Sequence, residues 1–268
     1  TFGREGVKTV GVDMDADRLA DLGRAFDAEG FDGMQLACDV REPDQIRAVV
    51  DKAAERYGRI DILVNNAGVA KGGPVETLPV EVWDLNHDVN SRGTFLMCQA
   101  VIPYMKKQRS GRIINAASFA AIVPSLGNAA YSSSKAAVHY FTRVLAGELG
   151  PWEITVNCYA PGMVPTGMNN FDKLPADQQK QLLDTLTLRR WETATDVTNL
   201  LCFLASDLAG YITGTMIDVV RLPSEQMRFG LAGYCRVRNE RFHSEAYASR
   251  FRVEAPERGG GDETGGDR

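Results

Sequence analysis

The chain has 268 residues, of which 44% are hydrophobic, and this is enough apolar material for one sizeable α/β domain. Its formal net charge of −5 argues against nucleic acid and against an anionic membrane surface as partners. No apolar run approaches the roughly 18 residues that a membrane span needs, and the first residues show no apolar segment of the signal-peptide kind.

Cysteine and histidine usage is typical of a reduced protein without a metal centre. The cysteines form no C-x-x-C pair and have apolar neighbours, as buried free thiols do. They are Cys38, Cys98, Cys158, Cys202 and Cys235. The histidines are too dispersed to suggest metal ligands; they are His87, His139 and His243. We therefore expect a cytoplasmic protein with no bound metal.

Short β-branched runs alternate along the chain with amphipathic stretches. The predicted strands are, in order, 7–12, 34–38, 60–64, 112–116, 154–158 and 215–219. The predicted helices are 15–29, a helix that begins near Pro43, 79–107, 129–148 and 196–205. This alternation predicts the α/β class, with a Rossmann-like, doubly wound parallel sheet between two layers of helices.

Several polar residues follow directly after predicted strands. Ligands of doubly wound sheets bind beyond the carboxyl ends of the strands, so these positions are candidates for a functional site. They are Asp13, Asp39, Asn66 and Ser118.

Tyr131 and Lys135 are four residues apart in the predicted helix 129–148, so both side chains project from one face, one turn apart. A phenol with a pKa of about 10 needs roughly 4 kcal/mol to lower that pKa by about three units. An ammonium about 4 Å away, at an effective dielectric constant near 20, supplies about that much. The spacing therefore predicts a general acid/base at Tyr131, with Lys135 lowering its pKa.

Six motifs recur in a fixed order along most of the chain. They are Asp39-Val40, Asn65-Asn66-Ala67-Gly68, Asn90, Ser118, Tyr131-x3-Lys135 and Pro161-Gly162. Each alone is weak, since Tyr-x3-Lys on a helix is usually a surface pair and Ser118 alone would be a turn serine. Together they resemble the classical type of the short-chain dehydrogenase/reductase family, and the resemblance extends over residues 1–219.

The resemblance implies reversible hydride transfer between a secondary alcohol or its ketone and a nicotinamide. Ser118 would orient the substrate oxygen, Tyr131 would exchange a proton with it, and Lys135 would also bond the nicotinamide ribose. Asn90 would hold a water that links Lys135 to solvent. The alternative for Asn90 is a mid-helix asparagine that bonds the local backbone.

The resemblance also implies where a dinucleotide would lie. Asp39 and Val40 would flank the adenine, while Asn66, Ala67 and Gly68 would line the adenosine ribose. Tyr131 and Lys135 would contact the nicotinamide ribose. The nicotinamide carboxamide and the pyrophosphate would meet the loop that contains Pro161, Gly162, Val164 and Thr166.

Asp13 ends the first predicted strand, where relatives carry the residue that contacts the adenosine ribose. A carboxylate there accepts hydrogen bonds from the 2′- and 3′-hydroxyls and repels a 2′-phosphate. NAD is therefore favoured and NADP is less expected. The alternative is that Asp13 only caps the following helix.

The glycine-rich turn of a dinucleotide-binding βαβ unit is not found in this sequence. Residues 1–6 resemble the end of the helix that would follow such a turn, with Gly6 as its C-cap. We therefore expect residues 1–219 to be a dinucleotide-binding and catalytic domain that lacks the family's first strand and glycine-rich loop. A truncated or frame-shifted gene would explain this, and sequencing the locus upstream of Thr1 would test it.

The C-terminal residues 220–268 do not resemble the family. Residues 221–268 contain nine arginines and no lysine. The last ten residues are rich in glycine and charge and have no apolar side chain to bury. We expect this segment to be largely disordered.

Apolar residues between Ser118 and Tyr131 suggest an apolar substrate wall, and residues 163–180 would form a substrate lid. The substrate class resembles that of 3-oxoacyl-carrier-protein reductases or of sugar and polyol dehydrogenases. A homodimer or homotetramer would form through the helices 79–107 and 129–148. The alternative function is a catalytically inactive fragment that retains only oligomerisation or weak nucleotide binding.

Overall fold

The computed structural model describes residues 1–169 and 171–219, so the predictions for residues 220–268, Cys235 and His243 among them, lie outside the described residues. The strands are β1 (Thr9–Asp13), β2 (Gly33–Ala37), β3 (Ile62–Asn65), β4 (Gly111–Ala116), β5 (Ile154–Ala160) and β6 (Met216–Asp218). The α-helices are α1 (Ala16–Glu29), α2 (Pro43–Tyr57), α3 (Val80–Asn86), α4 (Gly93–Gln108), α5 (Ala129–Leu149), α6 (Ala176–Thr185) and α7 (Ala194–Ala205). All predicted strands are present with slightly shifted ends, which confirms the α/β class.

Every strand pair is parallel. β1 pairs with β2, and the other strands form a second sheet in the order β3-β4-β5-β6. Within the described residues, no strand pairing joins the two sheets. The prediction of a missing first strand is not supported here, because the first strand of the described chain is β1 and it pairs along its whole length with β2. A short 3₁₀ helix precedes it, and Gly6 is the left-handed C-cap of that helix, as predicted.

Two apolar cores lie on opposite faces of the second sheet. Successive side chains of a strand point to opposite faces, and β4 shows this directly. Ile113 packs in a core with the apolar faces of α2, α4 and α5. Its neighbour Ile114 packs in the other core with Leu201 and Leu204 of α7. Full burial of one such side chain stabilises the fold by about 1.5–3 kcal/mol. Helices on both faces confirm the three-layer, Rossmann-like arrangement.

The predicted helix 79–107 is not one regular α-helix. A π-helical turn, His87–Arg92, joins α3 to α4. Its widened turn contains the fully buried Asn90. A π-helical turn is a single local change within an otherwise continuous helical stretch, and the sequence pattern did not reveal it.

The predicted lid, 163–180, also differs from an irregular loop. A 3₁₀ turn at Phe171–Lys173 and the helix α6 occupy its second half. Ala, Gln, Lys and Leu dominate α6, and these residues are strong helix formers.

Among the described residues, no helix is both long and apolar enough to cross a membrane. Cys38, Cys98 and Cys158 are buried free thiols, as predicted, and the free thiol of Cys202 is half-buried.

Candidate functional site

The candidate site lies where β3, β4 and β5 end, beside the first half of α5. The carboxyl ends of parallel strands meet at one edge of the sheet, so the loops that follow them are neighbours. Ser118 follows β4, and Pro161 follows β5. The backbone N–H of Phe119 donates to the carbonyl oxygen of Pro161 at 3.4 Å, which ties these two loops together.

Ser118 and Tyr131 are brought into hydrogen-bonding contact. Ser118 has an extended backbone and is the N-cap of a 3₁₀ turn, with its Oγ accepting from the N–H of Ala120 at 3.1 Å. Burial raises the pKa of the Tyr131 phenol above its ordinary value, and the hydrogen bond with Ser118 partly opposes that shift. Two hydroxyl groups in contact in a buried site can orient one substrate oxygen between them.

Lys135 is almost fully buried, with 4% of its surface exposed. Its Nζ donates to the carbonyl oxygen of Ala116, at the end of β4, at 2.8 Å. Burial lowers the pKa of the ammonium to about 8. A buried amine of this kind retains two further N–H groups that a ligand hydroxyl can accept from.

The predicted electrostatic effect of Lys135 on Tyr131 is wrong for this structure. The pKa of Tyr131 is raised rather than lowered, and Ser118 is the group that acts against burial. The physical reason is that both side chains leave water, and desolvation disfavours the phenolate and the ammonium alike. The ammonium bonds Ala116 instead of the phenol.

Asn90 joins the π-helical turn to the loop after β3 and to α5. Its Oδ1 accepts from the N–H of Val69 at 2.8 Å. Its Nδ2 donates to the carbonyl oxygen of Val69 and to Oγ of Ser134, both at 2.9 Å. The side chain therefore bonds residues distant in sequence, and the alternative of a local backbone bond is wrong.

Gly68 lies against both Asn90 and Lys135. A Cβ at this position would lie 3.2 Å from Oδ1 of Asn90 and 3.4 Å from Nζ of Lys135. The contact with Asn90 is tighter than ordinary packing, so a side chain here would require Asn90 to shift by a few tenths of an ångström. The glycine thus keeps the backbone close to the buried amine.

The predicted adenine position is built around an ion pair. The guanidinium of Arg41 contacts both carboxylate oxygens of Asp39, its Nε at 3.0 Å from each. This pairing holds the pKa of the Asp39 carboxyl below its usual range. Val40 packs against Gly93, where a Cβ would lie 2.9 Å from Cγ2 of Val40.

Asp13 and Asp15 form different hydrogen bonds at the start of α1. Asp15 caps the helix, accepting from the N–H groups of Asp17 and Arg18. Oδ1 of Asp13 accepts from the N–H of Asp15 at 3.0 Å, while Oδ2 lies 3.9 Å from Arg18. Capping of α1 is therefore the role of Asp15, and the position of Asp13 beyond β1 is compatible with contact to a ribose.

Tyr159 was not predicted from the sequence, yet it holds one of the predicted cofactor residues. Its hydroxyl donates to Oδ1 of Asn66 at 2.6 Å. Ala67 connects Asn66 to Gly68, and neither Ala67 nor Gly68 brings a side chain larger than a methyl group into this loop. A tyrosine near the end of a fully buried strand, where its hydroxyl needs a partner, was the available signal for Tyr159.

The loop after β5 has a partner that the sequence did not indicate. The N–H of Gly162 donates to Oε2 of Glu192 at 2.7 Å, across 30 residues of sequence. Within the loop, the N–H of Val164 donates to the carbonyl oxygen of Gly162 at 3.2 Å. Further along, Oγ1 of Thr166 accepts from the N–H of Met168 at 3.3 Å.

The described residues fit the two nucleoside halves of a nicotinamide dinucleotide. Lys135, Tyr131 and Ser118 supply donors for a ribose and a substrate oxygen, and Gly68 leaves room beside them. Asp13 supplies a carboxylate for the other ribose. The turn between β1 and α1 does not fit a pyrophosphate, because Asp13, Asp15 and Asp17 give it negative charge.

A doubly wound parallel sheet, with Ser118 after β4 and the Tyr131–Lys135 pair on the adjacent α5, is the arrangement expected of a nucleotide-dependent α/β oxidoreductase. A family profile described as enoyl-(acyl carrier protein) reductase matches residues 1–220. The chain therefore belongs to the short-chain dehydrogenase/reductase family. It is an oxidoreductase of that family, whose members typically use NAD or NADP.

Two curated relatives are similar over most of the chain. One is the 3-oxoacyl-[acyl-carrier-protein] reductase FabG of Thermotoga maritima, 37% identical over 220 residues, which are 81% of this chain and 88% of that protein. The other is (2S)-[(R)-hydroxy(phenyl)methyl]succinyl-CoA dehydrogenase subunit BbsD of Thauera aromatica, 38% identical over 218 residues, which are 81% and 87% of the two chains.

Two solved structures share the fold. A variant of actinorhodin polyketide ketoreductase with NADPH has a TM-score of 0.78 and 28% identity, over 82% of this chain and 88% of that one. Levodione reductase has a TM-score of 0.76 and 30% identity, over 81% and 87% of the two chains. These proteins act on different molecules, so the likeness defines the class of reaction and leaves the substrate open.

Proposed function

We propose that the chain is an NAD(H)-dependent oxidoreductase that interconverts a secondary alcohol and a ketone. The observation that carries this proposal is the contact between the Ser118 hydroxyl and the buried Tyr131 phenol, one helical turn from the buried amine of Lys135. When bound, the nicotinamide supplies or accepts the hydride. The residues of the chain bind, orient and exchange the proton.

In the direction of reduction, Ser118 donates a hydrogen bond to the carbonyl oxygen of the substrate. Tyr131 transfers its phenolic proton to the oxygen as negative charge develops there. Its raised pKa keeps the phenol protonated at neutral pH and ready to act as the acid. Lys135 remains largely cationic near neutral pH, since its pKa is about 8, and its two further N–H groups bond the nicotinamide ribose.

NAD is proposed over NADP because of Asp13. Its carboxylate accepts hydrogen bonds from ribose hydroxyls and repels a 2′-phosphate. Arg18, 3.9 Å from Oδ2, weakens this argument in part, because a guanidinium there favours a phosphate. The related ketoreductase structure contains NADPH, so the preference requires a direct measurement.

The proposed substrate is apolar near its reacting carbon and belongs to the 3-oxoacyl thioesters, or otherwise to sugars and polyols. Ile122 and Leu126, in the segment between Ser118 and Tyr131, are exposed. Met168, in the loop that follows β5, is exposed as well. These side chains could cover an apolar substrate at the mouth of the site.

The test uses residues 1–268 and measures dinucleotide binding first and turnover second. Protein fluorescence is titrated with NADH and with NADPH, and oxidation of the bound cofactor is then followed with a 3-oxoacyl thioester, a cyclic ketone and a ketose. Saturable binding at micromolar concentrations together with turnover of one carbonyl class supports the proposal. If neither dinucleotide binds, the alternative of a catalytically inactive fragment replaces it.

A further inference from the structure

Glu192, just before α7, contacts the loop that carries four of the proposed cofactor residues, and Trp191 precedes it in the chain. We call residues 161–166 the β5 loop. Glu192 is almost fully buried, with 4% of its surface exposed. Its Oε2 accepts from the N–H of Gly162 at 2.7 Å, and its own N–H donates to the carbonyl oxygen of Met163 at 3.1 Å. Glu192 thus bonds the backbone of two consecutive residues of the β5 loop, Gly162 and Met163.

Burying a carboxyl group is costly unless hydrogen bonds satisfy its oxygens. A backbone N–H that donates to such an oxygen forms a strong hydrogen bond. A side chain that served packing alone would not need a polar atom at such a place. The position of Glu192 is therefore specific to the backbone of Gly162. Truncation of the side chain would leave that N–H without its bond and would free the β5 loop.

The carboxylate of Glu192 also lies close to the centre of the site. Burial raises the pKa of the Tyr159 phenol, and the nearby Tyr131 and Glu192 raise it further. Tyr159 donates to Asn66, on the proposed ribose side. Glu192 is thus next to a chain of contacts that leads from the β5 loop to Asn66.

Trp191, next to Glu192, contacts the predicted lid and provides a spectroscopic probe. Its ring stacks on Phe171, with ring centroids 5.6 Å apart and the planes 10° from parallel. The other tryptophans, Trp83 and Trp152, are exposed on distant helices. Replacing both by phenylalanine would leave Trp191 as the single reporter beside Glu192.

We propose that Glu192 is a positioning residue that holds the β5 loop in the conformation that binds the nicotinamide end of the dinucleotide. This inference rests on the proposed function, because it assigns the loop to the cofactor. It goes beyond that function in naming the residue that fixes the loop. The property that matters is the side-chain oxygen of residue 192 that accepts from the N–H of Gly162, rather than the charge.

The test compares Glu192→Ala with Glu192→Gln in the Trp83→Phe, Trp152→Phe background. Without dinucleotide, acrylamide quenching of Trp191 should increase in Glu192→Ala and stay near wild type in Glu192→Gln, because the amide oxygen still accepts from Gly162. The dissociation constant for NADH should rise about tenfold in Glu192→Ala and less than about threefold in Glu192→Gln.

Asp196→Ala is the matched control. Asp196 closes the capping box with Thr193 and pairs with Arg190, so its loss weakens the start of α7 without touching Gly162. It should lower Tm while leaving the NADH dissociation constant unchanged. If Asp196→Ala weakens NADH binding as much as Glu192→Ala does, the effect of Glu192 is only structural, and the inference is overturned.

The outcome can be separated from failure of the proposed function. If the wild-type chain binds no dinucleotide, the proposed function fails, and the quenching comparison alone decides the role of Glu192. If Glu192→Ala does not fold, Glu192→Asp replaces it, since the shorter carboxylate keeps the charge and cannot reach Gly162. Quenching equal to wild type in the variant that folds overturns the inference.

Discussion

At the scale of single residues, burial controls the acid/base chemistry of the candidate site. Tyr131 and Lys135 are both desolvated, and each is therefore shifted toward its neutral form. A phenol that stays protonated is a suitable acid for reduction. In oxidation the same phenol must lose its proton, and a bound cofactor that excludes the remaining water would strengthen every charge interaction there.

Loss of the phenolic hydroxyl should separate chemistry from binding. Tyr131→Phe is expected to lower turnover by about two or more orders of magnitude, the usual scale for loss of a general acid. The NADH dissociation constant should change little. Tyr140→Phe, an exposed tyrosine on the same helix, is the control and should retain full turnover. Steady-state kinetics with undiminished turnover in Tyr131→Phe would refute the assignment.

The buried amine of Lys135 makes stability depend on alkaline pH. Its folded pKa of about 8 lies below the ordinary 10.5, so between these values the unfolded state binds more protons. The contribution of Lys135 to stability therefore rises with pH through this window, and the cost of burying its charge is felt in full below pH 8. Between pH 8 and 9.5 the gain is about 2 kcal/mol.

Urea unfolding of the wild type and Lys135→Met would measure this effect. The variant has no buried ammonium, so its advantage over the wild type should shrink as the pH rises from 8 to 9.5. Staying below pH 10 avoids ionisation of tyrosines in the unfolded chain. A stability difference that does not change with pH would show that the amine is not desolvated.

Asp13 offers a test of the cofactor preference. Asp13→Ser removes the carboxylate that repels a 2′-phosphate and leaves Arg18 nearby to attract one. The ratio of kcat/KM for NADPH to that for NADH should rise about tenfold or more. Asp17→Asn, an exposed acid in the same turn, should leave the ratio unchanged. Equal ratios in both variants would assign the preference to another part of the site.

At the scale of elements, the π-helical turn is what brings Asn90 to the site. Asn90→Ala would leave the N–H and carbonyl group of Val69 without their side-chain partner, at a cost of about 1–3 kcal/mol for each unsatisfied group. Urea unfolding at pH 7 would measure this loss. Ser91→Ala in the same turn removes only a bond within the helix and should cost less than about 1 kcal/mol.

The elements also show what sequence patterns can predict. Strands such as β4 and β5 were predicted because their apolar runs are short and β-branched. The π-helical turn was not, since one local change within a long helical stretch is too small a break in the pattern to identify from composition and period. The lid was expected from the resemblance, and the helix α6, which begins within it, was not predicted although its residues are good helix formers.

The candidate site was predictable only in part for a related reason. The sequence identified Ser118, Tyr131 and Lys135 because they lie close together along the chain, in a characteristic order and spacing. The bond from Glu192 to Gly162 spans 30 residues, and a glutamate before a helix is too common to signal it. Long-range contacts of ordinary residue types need coordinates.

At the scale of the whole molecule, the pairing of strands into two sheets could not be predicted either. The alternation of strands and helices indicates parallel pairing and helices on both faces, but it does not say which strand edges meet. β1 pairs with β2 alone, and β3 begins a separate sheet. Strand order depends on contacts between residues far apart along the chain, which periodicity does not contain.

Assembly is the last property that the molecule as a whole allows us to test. We expect a homodimer or homotetramer through α3, α4 and α5, whose outer surfaces expose large apolar side chains. Phe95 is 43% exposed, Tyr140 67% and Val144 49%. An exposed apolar surface of this kind is typical of an interface between subunits.

Val144→Glu would place a charge in the centre of that surface, where burial of an unpaired carboxylate is unfavourable. Light scattering after gel filtration should show the wild type as a dimer or tetramer and the variant as a monomer. Leu208→Glu, at an exposed leucine outside these helices, should keep the wild-type mass. If the wild type is monomeric at every concentration, these helices do not form an interface between subunits. The Val144→Glu variant would then have no association to disrupt.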